Sequence, residues 1–159
     1  MPLVHYVKKA RRDNSAVKRG EPYYWWKFGF SEKLYSKTAP KRSQLTQSDY
    51  KGCVYDLQDS ISDYEIGDPD QFSDMIFELT EQIIDMRDQC KESLDNMKEN
   101  LHVAPNGMLL KARIASCEFV LAELEELEWD EEAFEDADDT FDTSPVDAAL
   151  KALDLDAEN

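Results

Sequence analysis

Between residues 23 and 37 the chain interleaves rings that can stack with side chains that can neutralise phosphate: Tyr23, Trp25, Lys27, Tyr35 and Lys37. Lys8, Lys9, Arg11, Arg12, Lys18 and Arg19 lie upstream, and Lys41 and Arg42 follow just downstream. Cations for phosphates beside aromatic faces for bases are what single-stranded nucleic-acid surfaces use. These side chains are therefore the candidate nucleic-acid contacts. The plainer reading is a structural basic patch, or an attachment site for the protein's own acidic stretch.

The other end of the chain offers opposite chemistry. Glu125, Glu126, Glu128, Trp129, Glu131, Glu132, Phe134 and Phe141 combine carboxylates with aromatic rings, and Val146, Leu150 and Leu153 follow on one helical face. These are the candidate protein-binding residues, because aromatics among acids favour docking over simple solvation. Twelve acids fall between residues 123 and 142. Such a block reads as a solvated tail, as a strip that imitates phosphate spacing and occupies a DNA-binding partner, or as a cover for residues 1 to 42. The whole-chain charge of -17 averages two unlike parts: residues 1 to 42 hold eleven basic against three acidic side chains, a net +8, and the rest carries -25.

Catalytic chemistry finds little support. Gly20, Gly29, Gly52, Gly67 and Gly107 are isolated, so no phosphate-cradling loop forms. His5 sits in a basic arm and His102 at a helix end, without a recognisable nucleophile. Cys53, Cys90 and Cys117 are odd in number, widely spaced, and at no familiar ligand spacing from either histidine. They read as reduced thiols buried on helical seams. No metal, no cofactor and no enzymatic activity are expected. No run of about 18 apolar residues spans a membrane, and Met1-Pro2-Leu3-Val4-His5 leads directly into Lys8 and Lys9 without a signal-peptide core. A cytoplasmic location is expected.

The elements that must position these residues follow from periodicity. Tyr23-Tyr24-Trp25-Trp26-Lys27-Phe28-Gly29-Phe30 is strand-favouring, and after Ser31-Glu32-Lys33 comes Leu34-Tyr35-Ser36-Lys37-Thr38, which together read as a β-hairpin. Residues 3 to 7 offer a third strand, which a lone hairpin needs. Tyr24, Trp26, Phe28 and Phe30 form one apolar face for packing, while Tyr23, Trp25 and Lys27 share the other. With a three-residue loop Phe30 pairs with Leu34 and Lys27 faces Lys37, like charges that are best tolerated beside an anion. A two-residue loop moves Lys37 to the Phe28 face instead. The hairpin resembles, over about twenty residues, the DNA-contacting sheet at the N-terminus of some tyrosine recombinases. That resemblance implies contact with DNA; the family's catalytic domain has no counterpart here, and no catalytic residue is carried over.

Helical periodicity takes over past Pro40. Thr46 is the expected N-cap, with Asp49 three residues on, of a helix whose seam is Tyr50, Val54, Leu57, Ile61 and Tyr64. A longer helix is expected from about residue 70 to 101, with Phe72, Ile76, Leu79, Ile83, Met86, Cys90, Leu94, Met97 and Leu101 as a coiled-coil-like seam. Beyond Pro105-Asn106-Gly107 a third carries Leu110, Ile114, Cys117, Leu121 and Leu124. Helices two and three should form an antiparallel hairpin with helix one alongside. From residue 125 onward acids dominate and the chain is expected to be mostly unfolded, apart from a short helix within 144 to 155 capped by Ser144 with Pro145 in its first turn.

The fold class is thus α+β, mostly α: a basic aromatic hairpin region (1 to 42), a three-helix antiparallel bundle (46 to 128) and an acidic tail with a docking helix (129 to 159). The expected function is a non-enzymatic adaptor. Its N-terminal region touches nucleic acid or an acidic partner, and its tail docks on a basic or DNA-binding protein. A homodimer through helix two is the functional reading of that seam, although one chain can satisfy the stripe by itself. The alternatives are a small phage or mobile-element inhibitor acting as an acidic nucleic-acid mimic, and a structural subunit of a larger assembly.

Overall fold

The computed structural model describes residues 1 to 64, 66 to 129 and 142 to 154. The chain is mostly helical and opens with a small antiparallel sheet. It gathers into two compact units, Met1–Asp56 and Leu57–Asn159.

In the first unit β1 (His5–Val7), β2 (Tyr23–Trp26) and β3 (Leu34–Ser36) form a sheet with β2 in the middle. His5 pairs with Trp25 and Val7 with Tyr23; on the other side Trp25 pairs with Tyr35 and Trp26 with Leu34. The third strand supplies the partner that a bare hairpin lacks. This register replaces both of those expected. Residues 27 to 33 form the connection, so Lys27 lies outside the ladder and does not face Lys37. The reversal comes early because Ser31 N donates to Phe28 O at 2.8 Å and Gly29 takes φ +49, a left-handed conformation that favours glycine. Phe30 is consequently fully exposed at the tip instead of joining an apolar face, while Trp26 is buried.

A 3-10 turn, Arg42–Leu45, leads to α1 (Asp49–Ser60). The helix starts two residues later than Thr46 capping would give. Ser48 Oγ accepts from Lys51 N at 3.4 Å, and Thr46 Oγ1 instead accepts from Ser48 N at 3.2 Å. Val54, Leu57 and Ile61 are buried as the seam required, with Tyr50 and Tyr64 half-buried. Cys53 is exposed, because one residue off the seam is a turn of about 100° away.

The second unit is built on α2 (Pro69–Asp95), α3 (Pro105–Glu125) and α4 (Ser144–Lys151). Asp68 caps α2, accepting from Gln71 N at 2.8 Å, with Pro69 at the first position. α2 ends at Asp95 instead of running to 101, where Asp95-Asn96 weakens the helix and a 3-10 turn, Glu99–Leu101, takes over. Its buried face is Phe72, Met75, Leu79, Ile83, Met86 and Cys90, so Met75 stands where Ile76 was expected. α3 runs back along α2: Lys91 Nζ is 2.9 Å from Glu118 Oε1 near one end, and Leu121 and Glu125 share a groove with Ile76, Phe77 and Thr80 toward the other.

The turn between them is tight. Gly107 lies in the first turn of α3, where a Cβ would come within 2.5 Å of Leu101 O and 2.7 Å of His102 Cα. α3 buries Cys117, Val120 and Leu124. Its opposite side, Met108, Ala112, Ala115, Phe119 and Ala122, is exposed and uncharged, an apolar face that the single expected seam did not anticipate. α4 packs on α3 and buries Val146, Ala149 and Leu150, with Leu153 just beyond. Its N-cap is Thr143, and Ser144, expected as the cap, is instead the first helical residue. Ser144 donates through both its backbone N–H and its hydroxyl to Asp142 Oδ1, and these bonds hold the Asp142 carboxyl below its ordinary pKa.

Candidate nucleic-acid interface

The connection between β1 and β2 is long, basic and internally hydrogen-bonded. Asn14 Oδ1 accepts from Ala16 N at 2.9 Å and Val17 N at 3.0 Å, a side-chain turn of the kind asparagine favours. Asp13 Oδ1 accepts from Arg19 N at 2.7 Å, and Glu21 Oε2 from Lys18 N at 2.9 Å. Ala10 N donates to Glu21 O at 2.8 Å and Gly20 N to Ala10 O at 2.9 Å, with Ala10 and Val17 buried beneath. Both carboxylates of the loop are thereby directed at backbone N–H groups. Among the described residues, neither forms an ion pair with the neighbouring Lys9, Arg11 or Arg12.

That loop and one face of the sheet enclose an open cleft of about 450 Å³ lined by Val7, Lys9, Arg11, Arg12, Asp13, Asn14, Tyr23 and Tyr35. Tyr23 and Tyr35 come from adjacent strands and place their ring centroids 5.9 Å apart at 51°. Strand alternation puts both on the face that also carries Val7, and the loop folds its cations over the same side. Three cations beside two half-buried rings can hold an anion next to a flat π system.

Of the residues singled out from sequence, the cleft unites Lys9, Arg11, Arg12, Tyr23 and Tyr35. Lys8, Lys18 and Arg19 are exposed on the same loop. Trp25 is engaged elsewhere: its ring stacks on His5 at 4.1 Å and 10°, and Lys33 Nζ lies 4.1 Å from its centroid. It is therefore not an open stacking platform. Lys27, Lys37 and Lys41 are exposed outside the cleft, and the Arg42 guanidinium lies 5.1 Å from the Tyr55 ring centroid. Sequence reading missed Val7, Asp13 and Asn14 as wall residues and His5 and Lys33 as partners of Trp25. The Asp13-Asn14-Ser15 turn cluster was a usable signal; the ring pairings depend on register and had none.

The candidate protein-binding residues are placed differently. Val146, Leu150 and Leu153 are fully buried within the chain's own second unit, so the surface that this short helix required is supplied by α3. Trp129 meets Phe72 edge-on at 5.9 Å and 62°. Glu125 edges an apolar groove of about 460 Å³ with Ser73, Ile76, Phe77, Thr80, Ile84 and Leu121, while Glu126 and Glu128 are exposed. Glu131, Glu132, Phe134 and Phe141 lie outside the described residues. Of the α2 seam expected to pair two copies, Phe72, Leu79, Ile83, Met86 and Cys90 are buried within the chain, while Ile76, Leu94 and Met97 are half-buried and Leu101 is exposed.

Partial desolvation by the surrounding helix pushes the pKa of the exposed Cys53 thiol up, with Asp56 and Asp49 adding to the effect, and burial does the same at Cys90 against an opposing Arg113. Tyr64 is pushed up to about 12 by burial and by its 2.7 Å hydrogen bond to Glu78 Oε2. Among the described residues no group of three His, Cys, Asp or Glu side chains is arranged to hold a metal ion, and no helix is long and apolar enough to cross a membrane. No protein-family model, curated protein or solved structure matches the chain.

Proposed function

We propose that this protein is a non-enzymatic adaptor that contacts nucleic acid through its basic aromatic N-terminal unit and a basic or DNA-binding protein through its acidic C-terminal part. The observation that carries the reading is the cleft in which Lys9, Arg11 and Arg12 meet Tyr23 and Tyr35. The helices serve as core and spacer in a coiled-coil-like antiparallel arrangement. The protein contacts are assigned to Glu125, Glu126, Glu128, Trp129, Glu131, Glu132, Phe134 and Phe141, since the hydrophobic face of α4, with Val146, Leu150 and Leu153, is occupied by its own chain.

The test is equilibrium binding of the full chain to DNA and RNA across a salt series. Neutralising phosphates with cationic side chains releases counterions, so affinity falls steeply with added salt. Replacing the acids between residues 123 and 142 by their amides strengthens binding, because the -25 carried beyond residue 42 repels the same ligand. Absence of binding at low salt by both forms defeats the proposal.

A second reading is favoured by the net charge of -17: an inhibitor that presents its acidic surface as a nucleic-acid mimic. It predicts release of a DNA-binding protein from DNA, abolished by the same amide substitutions. The +8 of residues 1 to 42 weighs against it, because a mimic gains nothing from the opposite sign.

A further inference from the structure

Resting on that reading, we propose that the cleft's ligand is a single-stranded nucleic acid, with one base seated against Tyr23 and Tyr35 and its flanking phosphates held by Lys9, Arg11 and Arg12. The cleft's volume, about 450 Å³, lies within the range of about 300 to 1,000 Å³ that encloses small organic ligands. A single nucleotide unit fits that scale and a duplex does not. The lining is also of two kinds. Lys9, Arg11 and Arg12 suit an anion, whereas Val7, Tyr23 and Tyr35 suit a flat apolar surface. A nucleotide carries both, one beside the other.

Strandedness follows from which part of a base a ring can reach. In a duplex the bases present only their edges in the grooves, and stacking needs an exposed face. Tyr23 and Tyr35 stand at 51° to each other, so a base lies on one ring with its edge toward the other. Trp25 cannot take that place while it stacks on His5 with Lys33 beside it. Asp13 in the wall disfavours a bare polyphosphate and gives an acceptor for a base amino group or a sugar hydroxyl. Exposed Lys8, Lys18 and Arg19 continue the cationic track on the same loop, which favours a strand over a free nucleotide.

The experiment uses the full chain and labelled single-stranded DNA and RNA oligonucleotides of roughly 4 to 16 nucleotides, the span of one small-domain site. Duplexes of equal length and free mononucleotides serve as competitors, followed by fluorescence anisotropy. Single strands should bind at least about tenfold tighter than duplex. Stacking is worth about 1 to 3 kcal/mol per base, so Tyr23→Ala or Tyr35→Ala should weaken binding about five- to 150-fold, and the phenylalanine variants should retain it. Arg11→Gln with Arg12→Gln should flatten the salt dependence by about 0.7 for each phosphate no longer neutralised. The phenylalanine and glutamine variants leave the strand pairing intact, so the outcome does not rest on the alanine variants alone. Equal binding of duplex, with no loss in the tyrosine variants, overturns the single-strand proposal and leaves nucleic-acid binding standing. Mononucleotides competing as well as strands overturn it in favour of a free nucleotide. No binding of any nucleic acid at low salt defeats both.

Discussion

Replacing Leu150 by Ala tests whether the tail helix belongs to the chain's own core. Leu150 is 0% exposed, as are Val146 and Leu153. Truncating a buried leucine removes its transfer free energy and leaves a cavity, together about 2 to 5 kcal/mol. α4 has 8 residues, well short of the roughly 12 to 15 that an isolated helix needs in water, so it holds its shape only while docked. The loss therefore falls on docking. At tenfold per 1.4 kcal/mol, amide exchange in this helix should accelerate by about thirtyfold to several thousandfold. Asp147 N, bonded to Thr143 O at 3.0 Å, and Leu153 N, bonded to Leu150 O at 3.1 Å, report it directly. Amides in the middle of α2 should change far less, because local opening does not require global unfolding. Lys151→Ala, on the exposed side, should shift exchange by no more than a few tenths of a kcal/mol. Hydrogen exchange followed by mass spectrometry separates these segments. Unchanged exchange at residues 146 to 153 in Leu150→Ala would refute the docking of α4 on α3.

Two glycines should respond oppositely to Ala. At Gly107 the added Cβ meets backbone at 2.5 Å, and overpacking of about 1 to 3 kcal/mol outweighs the gain in helix propensity of about 1 kcal/mol. At Gly52 the nearest atoms stand at 3.8 Å, so the propensity gain should remain; urea midpoints of both variants check the pair of signs. Tyr64 holds its proton to about pH 12, so its contribution to stability is complete below the unfolded tyrosine value near 10 and is lost as pH rises from about 10 to 12. Ultraviolet titration should show the last-ionising tyrosine disappearing in Tyr64→Phe, and an unchanged titration contradicts the Glu78 hydrogen bond. Of the three thiols, Cys53 alone should react with an alkylating reagent in the folded protein, and slowly because its pKa is raised. Labelling counted by intact mass, before and after unfolding, decides this.

The sequence by itself determined the elements and the chemistry of the two ends. Steps of three and four placed the helices, because burying one stripe requires that spacing whatever lies opposite; Val54, Leu57 and Ile61, and Leu79, Ile83 and Met86, were legible on that ground. The alternating aromatics marked the sheet, and residues 5 to 7 supplied the third strand. Partners and register belong to the tertiary structure. The hairpin turned at Gly29 and not after Phe30, since a left-handed glycine and the Ser31 bond close the chain earlier, and that shift removed the Lys27–Lys37 pairing. The face of α4 was visible, but not that α3 of the same chain would cover it, because an apolar stripe specifies burial and not the surface that provides it. The cleft was legible only as composition. Arg11 and Arg12 meet Tyr23 and Tyr35 because Asp13, Asn14 and Glu21 fold the intervening loop by hydrogen bonds to its backbone, a closure that no periodicity records.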